Sequence, residues 1–212
     1  MIVPEPTLRR LPWYLSLLKI LRGRGRTCVS STYIGKELHL EPSVIAKDLS
    51  YLNIKGKTRI GYDIASLEKE LHDFLGYDIR HNAVVIGVGS LGEALISDRG
   101  LINYGLEIVA GFDIRPEIIG RTLNSIPVFD IGDLKEECER LNVEIAVITV
   151  PVNAAEEVTS LAVKSNIRAI WNFTPLRLKV PQHVVIQNTS IYAPLAIIYN
   201  RLKDFDTNSC II

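Results

Sequence analysis

The sequence predicts an α/β chain: a small helical module, a larger body of strands alternating with helices around a parallel sheet, and one apolar helix at the end. Three observations carry that prediction. Charge divides the chain, because residues 1–62 hold 11 Lys/Arg against 4 Asp/Glu while the remainder holds 13 against 20, although the totals balance at 24 each. Apolar residues recur at helical spacing through the first 53 positions, and from position 81 short apolar runs alternate with helical stretches. A glycine-rich turn follows the first of those runs directly. With 212 residues, 47% of them hydrophobic, the chain is long enough to bury two cores.

The expected boundaries are 1–77 for the head, 78–190 for the body and 191–212 for the terminal helix and tail. The first residues lack the basic-then-apolar layout of a signal peptide, and no apolar run approaches the ~20 residues that span a membrane. Cys28, Cys138 and Cys210 are odd in number and far apart, with no metal-ligand spacing. They suit reduced thiols in the cytoplasm, with Cys28 expected to be buried and structural, and no metal site is expected.

The head begins with Leu8, Leu11, Leu15, Leu18 and Leu21 at helical spacing, with Thr7 as the expected N-cap and Gly23 and Gly25 as stops. A short β-like run at 27–29 leads to Ser30 or Ser31 as a second cap, and a helix follows to about Leu38. Pro42 is well placed at the start of a third helix over 42–53. In it Ile45, Leu49 and Leu52 face inward, which leaves Ser43, Ala46, Lys47 and Ser50 outside. Small and cationic residues on an exposed helix permit close approach to a DNA groove, with the cation meeting phosphate. The basic stretch Lys55-Gly56-Lys57-Thr58-Arg59 then reads as a tight loop feeding a strand. Three helices and a basic β loop make a winged helix. Its expected DNA contacts are Arg10, Ser43, Lys47, Ser50, Lys55, Lys57 and Arg59.

In the body, His81 to Ile86 is the apolar run of a strand buried on both faces. It enters Gly87-Val88-Gly89-Ser90-Leu91-Gly92 and then a helix. Each glycine then has a physical reason, respectively a tight turn, the approach of a pyrophosphate, and close helix–strand packing. The helix N-terminus adds free N–H groups for phosphate. The next strand, 106–113, ends on Asp113, whose carboxylate can accept from both ribose hydroxyls and repels a 2′-phosphate. This favours NAD(H) over NADP(H), with Arg115 two residues later tempering the preference. Further strands are expected at 126–129, 144–150 and 169–172, with helices at 132–141 and 153–164, the latter capped by Asn153. The result is a Rossmann-type sheet whose ligands lie beyond its strand ends. Thr149, Val150 and Pro151, and Asn172, Phe173 and Thr174, are therefore candidates for the nicotinamide side.

Catalytic groups are not apparent. Tyr199 and Lys203 match a Y-x-x-x-K pair, but they lie in a tail with no substrate domain after it. His81 and His183 have no acidic partner nearby in sequence. The final helix, from Ala193 to about Phe205, is apolar nearly all round and suits insertion between two subunits. The residues leave three readings open: a redox-responsive repressor, an NAD-dependent oxidoreductase, or a sensor of another nucleotide such as coenzyme A.

Taken in order, Val3-Pro4-Glu5-Pro6, Lys47-Asp48-Leu49-Ser50-Tyr51, Gly61-Tyr62, the glycine turn 87–92, Gly111-Phe112-Asp113 and Asn172-Phe173-Thr174-Pro175 resemble the Rex family of redox-sensing repressors. The resemblance covers essentially the whole chain. It implies a homodimer with swapped C-terminal helices, binding NADH and NAD, and leaving double-stranded operator DNA when NADH is bound. The wing Lys55-Gly56-Lys57-Thr58-Arg59 departs from the family's glycine- and phenylalanine-rich turn, and three single positions depart from its pattern as well. Ala46 stands where an arginine is usual, Asp98 where an aromatic is common, and Ser190 where an acid is expected. The last two positions are linked in the family to the ligand-dependent switch.

Overall fold

A computed structural model describes residues 3–209. The chain divides into two compact units between Ile79 and Arg80. The first contains α1 (Glu5–Gly23), β1 (Cys28–Val29), α2 (Ser31–Leu38), α3 (Pro42–Leu49), β2 (Tyr62–Asp63) and α4 (Ile64–Phe74). Strands β1 and β2 pair antiparallel, and with the helices they form the winged helix. Leu11, Leu15, Leu18 and Leu21 are buried with Ile34, Ile45, Leu49, Leu67 and Leu71, whereas Leu8 is exposed.

Thr7 does not cap α1. The helix starts three residues earlier, after Pro4, and the Thr7 hydroxyl turns to Asp48 on α3 at 2.8 Å. Ser30 does cap α2, accepting from the Tyr33 N–H. Helix α3 stops at Leu49, short of the expected 53. Helix α4 is additional to the three helices expected of the head. Asp63 caps it through the Ser66 N–H, and Ile64, Leu67 and Leu71 seal the core against α1.

The second unit is a seven-stranded sheet of order β5-β6-β4-β3-β7-β8-β9. Its strands are β3 (His81–Ile86), β4 (Leu106–Asp113), β5 (Thr122–Leu123), β6 (Ile126–Asp130), β7 (Ile145–Ile148), β8 (Ala169–Asn172) and β9 (Val185–Asn188). All neighbours are parallel except β5–β6. Residues 83–86 are fully buried, because helices cover both faces of β3. On one face α6 (Leu134–Arg140) and α7 (Ala155–Lys164) pack on Val84, Ile86, Phe112 and Ile148. On the other, α5 (Ser90–Ser97) packs through Ile96 on Val85, Val128 and Val147. Strand order reverses between β3 and β7, and a crevice opens at such a point.

Several local expectations change. Asn153 is not a cap, since a 3₁₀ turn (Val152–Ala154) precedes α7. His81 does find an acid: its Nδ1 lies 2.6 Å from Glu144, which Arg168 also holds. Cys138 is buried and its thiol is pushed up to about 11, mainly by desolvation. Cys28 is exposed, because the two-residue strand β1 turns Val29, not Cys28, into the core. Cys210 lies outside the described residues. Helix α8 (Ala193–Ser209) exposes Leu195, Ile197, Ile198, Tyr199 and Leu202. Phe205 lies beyond the described side chains. Among the described residues, no helix is long and apolar enough to cross a membrane.

Candidate functional site

A cavity of about 560 Å³ opens beyond β3, β4 and β7, within the size range of small-molecule clefts. Gly87, Gly89, Asp113, Arg115 and Thr149-Val150-Pro151 contribute to its wall. Gly87 has φ +95°, and a Cβ there would lie 2.8 Å from Val150. A Cβ on Gly92 would fall 2.2 Å from the Gly87 carbonyl oxygen, so α5 begins tight against the turn. A Cβ on Gly89 would meet nothing within 4 Å, so the space beside the backbone before α5 is open to a phosphate. Ser90 and Leu91 form the first turn of α5 with Gly92.

Both sides of the turn are braced. The Thr149 hydroxyl donates to the Gly87 carbonyl at 2.7 Å. Asp113, buried at the end of β4, accepts from the Val88 N–H at 2.8 Å. Its other carboxylate oxygen accepts from the Ile114 and Arg115 N–H groups. Burial raises the Asp113 pKa, but hydrogen bonds from Arg115, Val88 and Ile114 outweigh it and hold the carboxyl below its usual range. The group is an anion in the cavity wall.

Asn172, Phe173 and Thr174 do not line this cavity. Asn172 is fully buried, donating to Leu176 and Asn188 and accepting from the Thr174 N–H, which knots the loop after β8. Phe173 packs on Trp171, with ring centroids 4.6 Å apart. The apolar wall, from Ile114, Ile131, Ala154 and Val158, was not anticipated. Ile114 is 75% exposed, and its place directly after Asp113 is the signal that marks it.

In the head, Ser43, Ala46, Lys47 and Ser50 all face outward on and just after α3. Lys57 and Gly61 exchange two backbone hydrogen bonds of 2.8 Å, closing the loop that exposes Lys55, Lys57 and Arg59. Arg10 departs from expectation. Its guanidinium makes a forked contact with Asp48 at 2.6 and 2.7 Å, so it holds α3 to α1 and is not a free surface cation. Tyr14 donates to the same carboxylate at 2.6 Å. The atypical residues also make local contacts. Asp98 accepts from the Gly100 N–H after α5, and Ser190 accepts from the Ala193 N–H at the start of α8.

Two family models match: "Putative DNA-binding protein N-terminus" over residues 2–50 and "CoA binding domain" over residues 78–176. A winged helix and a nucleotide cleft on one chain define a ligand-responsive DNA-binding regulator. The redox-sensing transcriptional repressor Rex of Bacteroides fragilis is 53% identical over 95% of this chain and 91% of its own. That of Treponema denticola is 39% identical over 93% and 96%. The chain belongs to the Rex family of redox-sensing transcriptional repressors. Among solved structures, RSP in complex with β-NAD+ and operator DNA matches with a TM-score of 0.91 at 28% identity, covering 100% of this chain and 97% of RSP. RSP in complex with β-NADH matches with a TM-score of 0.89 at 28% identity, covering 100% of both chains.

The glycine contacts give a direct test of the cleft. Gly92→Ala is expected to destabilise the body by about 1–3 kcal/mol through overpacking. The same change should weaken NADH binding, because α5 must move off the turn. Thermal melts and an NADH titration check both.

Proposed function

We propose that this chain is a dimeric repressor that holds NAD(H) in the cleft beyond β3, β4 and β7 and leaves its operator when NADH is bound. The observation that carries the reading is an ionised, buried Asp113 beside an open glycine turn, on the same chain as a basic winged helix. Gly87, Gly89, Ser90, Leu91 and Gly92 hold the pyrophosphate, and Asp113 meets the adenosine ribose with Arg115 at the edge of that site. Thr149, Val150 and Pro151 lead toward the nicotinamide end, with Asn172, Phe173 and Thr174 keeping the loop beside it in shape. The nicotinamide ring supplies the signal, being cationic when oxidised and neutral when reduced. Coenzyme A suits the cleft less well, because it carries a phosphate on the ribose that would face Asp113.

Ser43, Lys47 and Ser50 enter the major groove, and Lys55, Lys57 and Arg59 track phosphates. The roles divide as 1–77 for DNA, 78–190 for cofactor and 191–212 for pairing. In pairing, the exposed apolar residues of α8 would be covered by a second copy. The chain regulates without turnover, in the cytoplasm.

A gel-shift titration at fixed salt, with NADH and NAD in separate arms, tests the reading. Selective release by NADH is expected, with a coupling of about 1–3 kcal/mol, or ~5–150-fold. Equal DNA affinity in both arms overturns it.

A further inference from the structure

The Asp113 carboxylate has no acceptor site to spare. Two carboxylate oxygens offer about four lone-pair positions. Three backbone N–H groups, from Val88, Ile114 and Arg115, reach them at 2.8 to 3.0 Å. The Arg115 side chain adds a fourth and fifth donor, Nε to Oδ1 at 3.1 Å and Nη2 to Oδ2 at 3.3 Å. Those two contacts fall one on each oxygen. Oδ1 already takes two backbone donors, so Oδ2, which takes only the Val88 N–H, is the position for which a ribose hydroxyl and the guanidinium compete.

The two sets of contacts are not equally firm. The backbone donors are shorter, come from residues in or beside the strand and turn, and fix the carboxylate. The guanidinium is held longer on Asp113 and more tightly by the Val88 carbonyl at 2.6 Å, and its side chain is 46% exposed. Half in water, it gives up little on leaving, since exposed ion pairs are worth little. It is the removable member of the set.

Resting on the NAD(H) reading of the cleft, we propose that Arg115 is an internal plug of the ribose site and sets its ribose selectivity. In the free protein its Nη2 group fills the Oδ2 position that a ribose hydroxyl needs. A ribose with both hydroxyls free must displace it, so Arg115 lowers affinity for NADH. A ribose carrying a 2′-phosphate meets a different balance. The guanidinium stays beside Asp113, screens its charge and offers donors to the phosphate. One residue therefore moves two ligands in opposite directions.

The test is direct titration of the full-length chain with NADH and with NADPH, followed by tryptophan or nicotinamide fluorescence. Circular dichroism melts establish that each variant is folded. In Arg115→Ala, NADH is expected to bind about three- to tenfold more tightly and NADPH about tenfold more weakly. Arg115→Lys keeps the charge but cannot fork, so NADPH binding should be largely retained while NADH binding improves. Parallel shifts of both ligands, or no shift, in a folded variant overturn the plug while leaving the NAD(H) reading standing. Failure of the unaltered chain to bind NADH overturns the NAD(H) reading, and the plug with it.

Discussion

Asp48→Ala is expected to cost the head about 3 kcal/mol and to abolish measurable operator binding. Asp48 has a side chain only 2% exposed and accepts from Thr7, Arg10 and Tyr14 together. Removing it leaves two buried hydroxyls and a mostly enclosed guanidinium without their acceptor. The cost falls at the low end for a broken buried pair because Arg10, at 22% exposed, can still reach water. Since α3 carries Lys47, loosening it from α1 should also misplace the groove contacts. Urea unfolding monitored in the head, together with gel shifts, measures both effects.

The same carboxylate predicts an acid limit. Burial raises the Asp48 pKa, but hydrogen bonds from Arg10, Tyr14 and Thr7 overcome it and the folded value lies below the ordinary one. A depressed folded pKa means stability that is present above the unfolded value of about 4. That contribution is lost as pH falls through the folded value. The head should thus hold its stability from neutral pH down to about 4 and lose it below, and Asp48→Asn should flatten this part of the profile.

Asp113→Ala is expected to weaken NADH binding by about 30- to 100-fold. A charge-assisted hydrogen bond from the ribose is lost, worth about 2–3 kcal/mol. The turn also loses its brace at the Val88 N–H. Operator binding without ligand should persist, because the head is a separate unit. The variant is then a repressor that NADH no longer releases. Isothermal titration and gel shifts separate the two properties, and equal loss of DNA binding would refute the assigned roles.

What the sequence made legible was chemistry written within a few residues. The glycine turn with its strand and helix, Asp113 one strand later, and the inward Ile45, Leu49 and Leu52 are short-range patterns. They stand in the structure as read. What escaped depends on partners far along the chain. Asp48 meets Arg10 across 38 positions, and His81 meets Glu144 across 63. No local spacing encodes either pair, so Arg10 looked like a surface cation and His81 looked unpartnered. Asn172 sits at a strand end as expected, yet its side chain turns into a loop knot, a direction that periodicity does not give. Helix α4 was legible in principle: Asp63 three residues before Ser66, followed by Ile64, Leu67 and Leu71, is a capped amphipathic pattern.

The braced glycine turn bears on where a redox signal can originate. With Thr149 on one side and Asp113 on the other, the glycine turn proposed to hold the adenosine half of the cofactor is already in shape before anything enters it. That half of the molecule is chemically identical in the oxidised and reduced cofactor. A rigid grip on a shared handle supplies affinity to both forms alike, and equal affinity shifts no equilibrium. In the proposed placement, discrimination between a full and an empty electron store must therefore be made at the far end of the ligand, toward Thr149-Val150-Pro151. The firmness of the near end lets a difference of one hydride and one charge be read against a fixed reference.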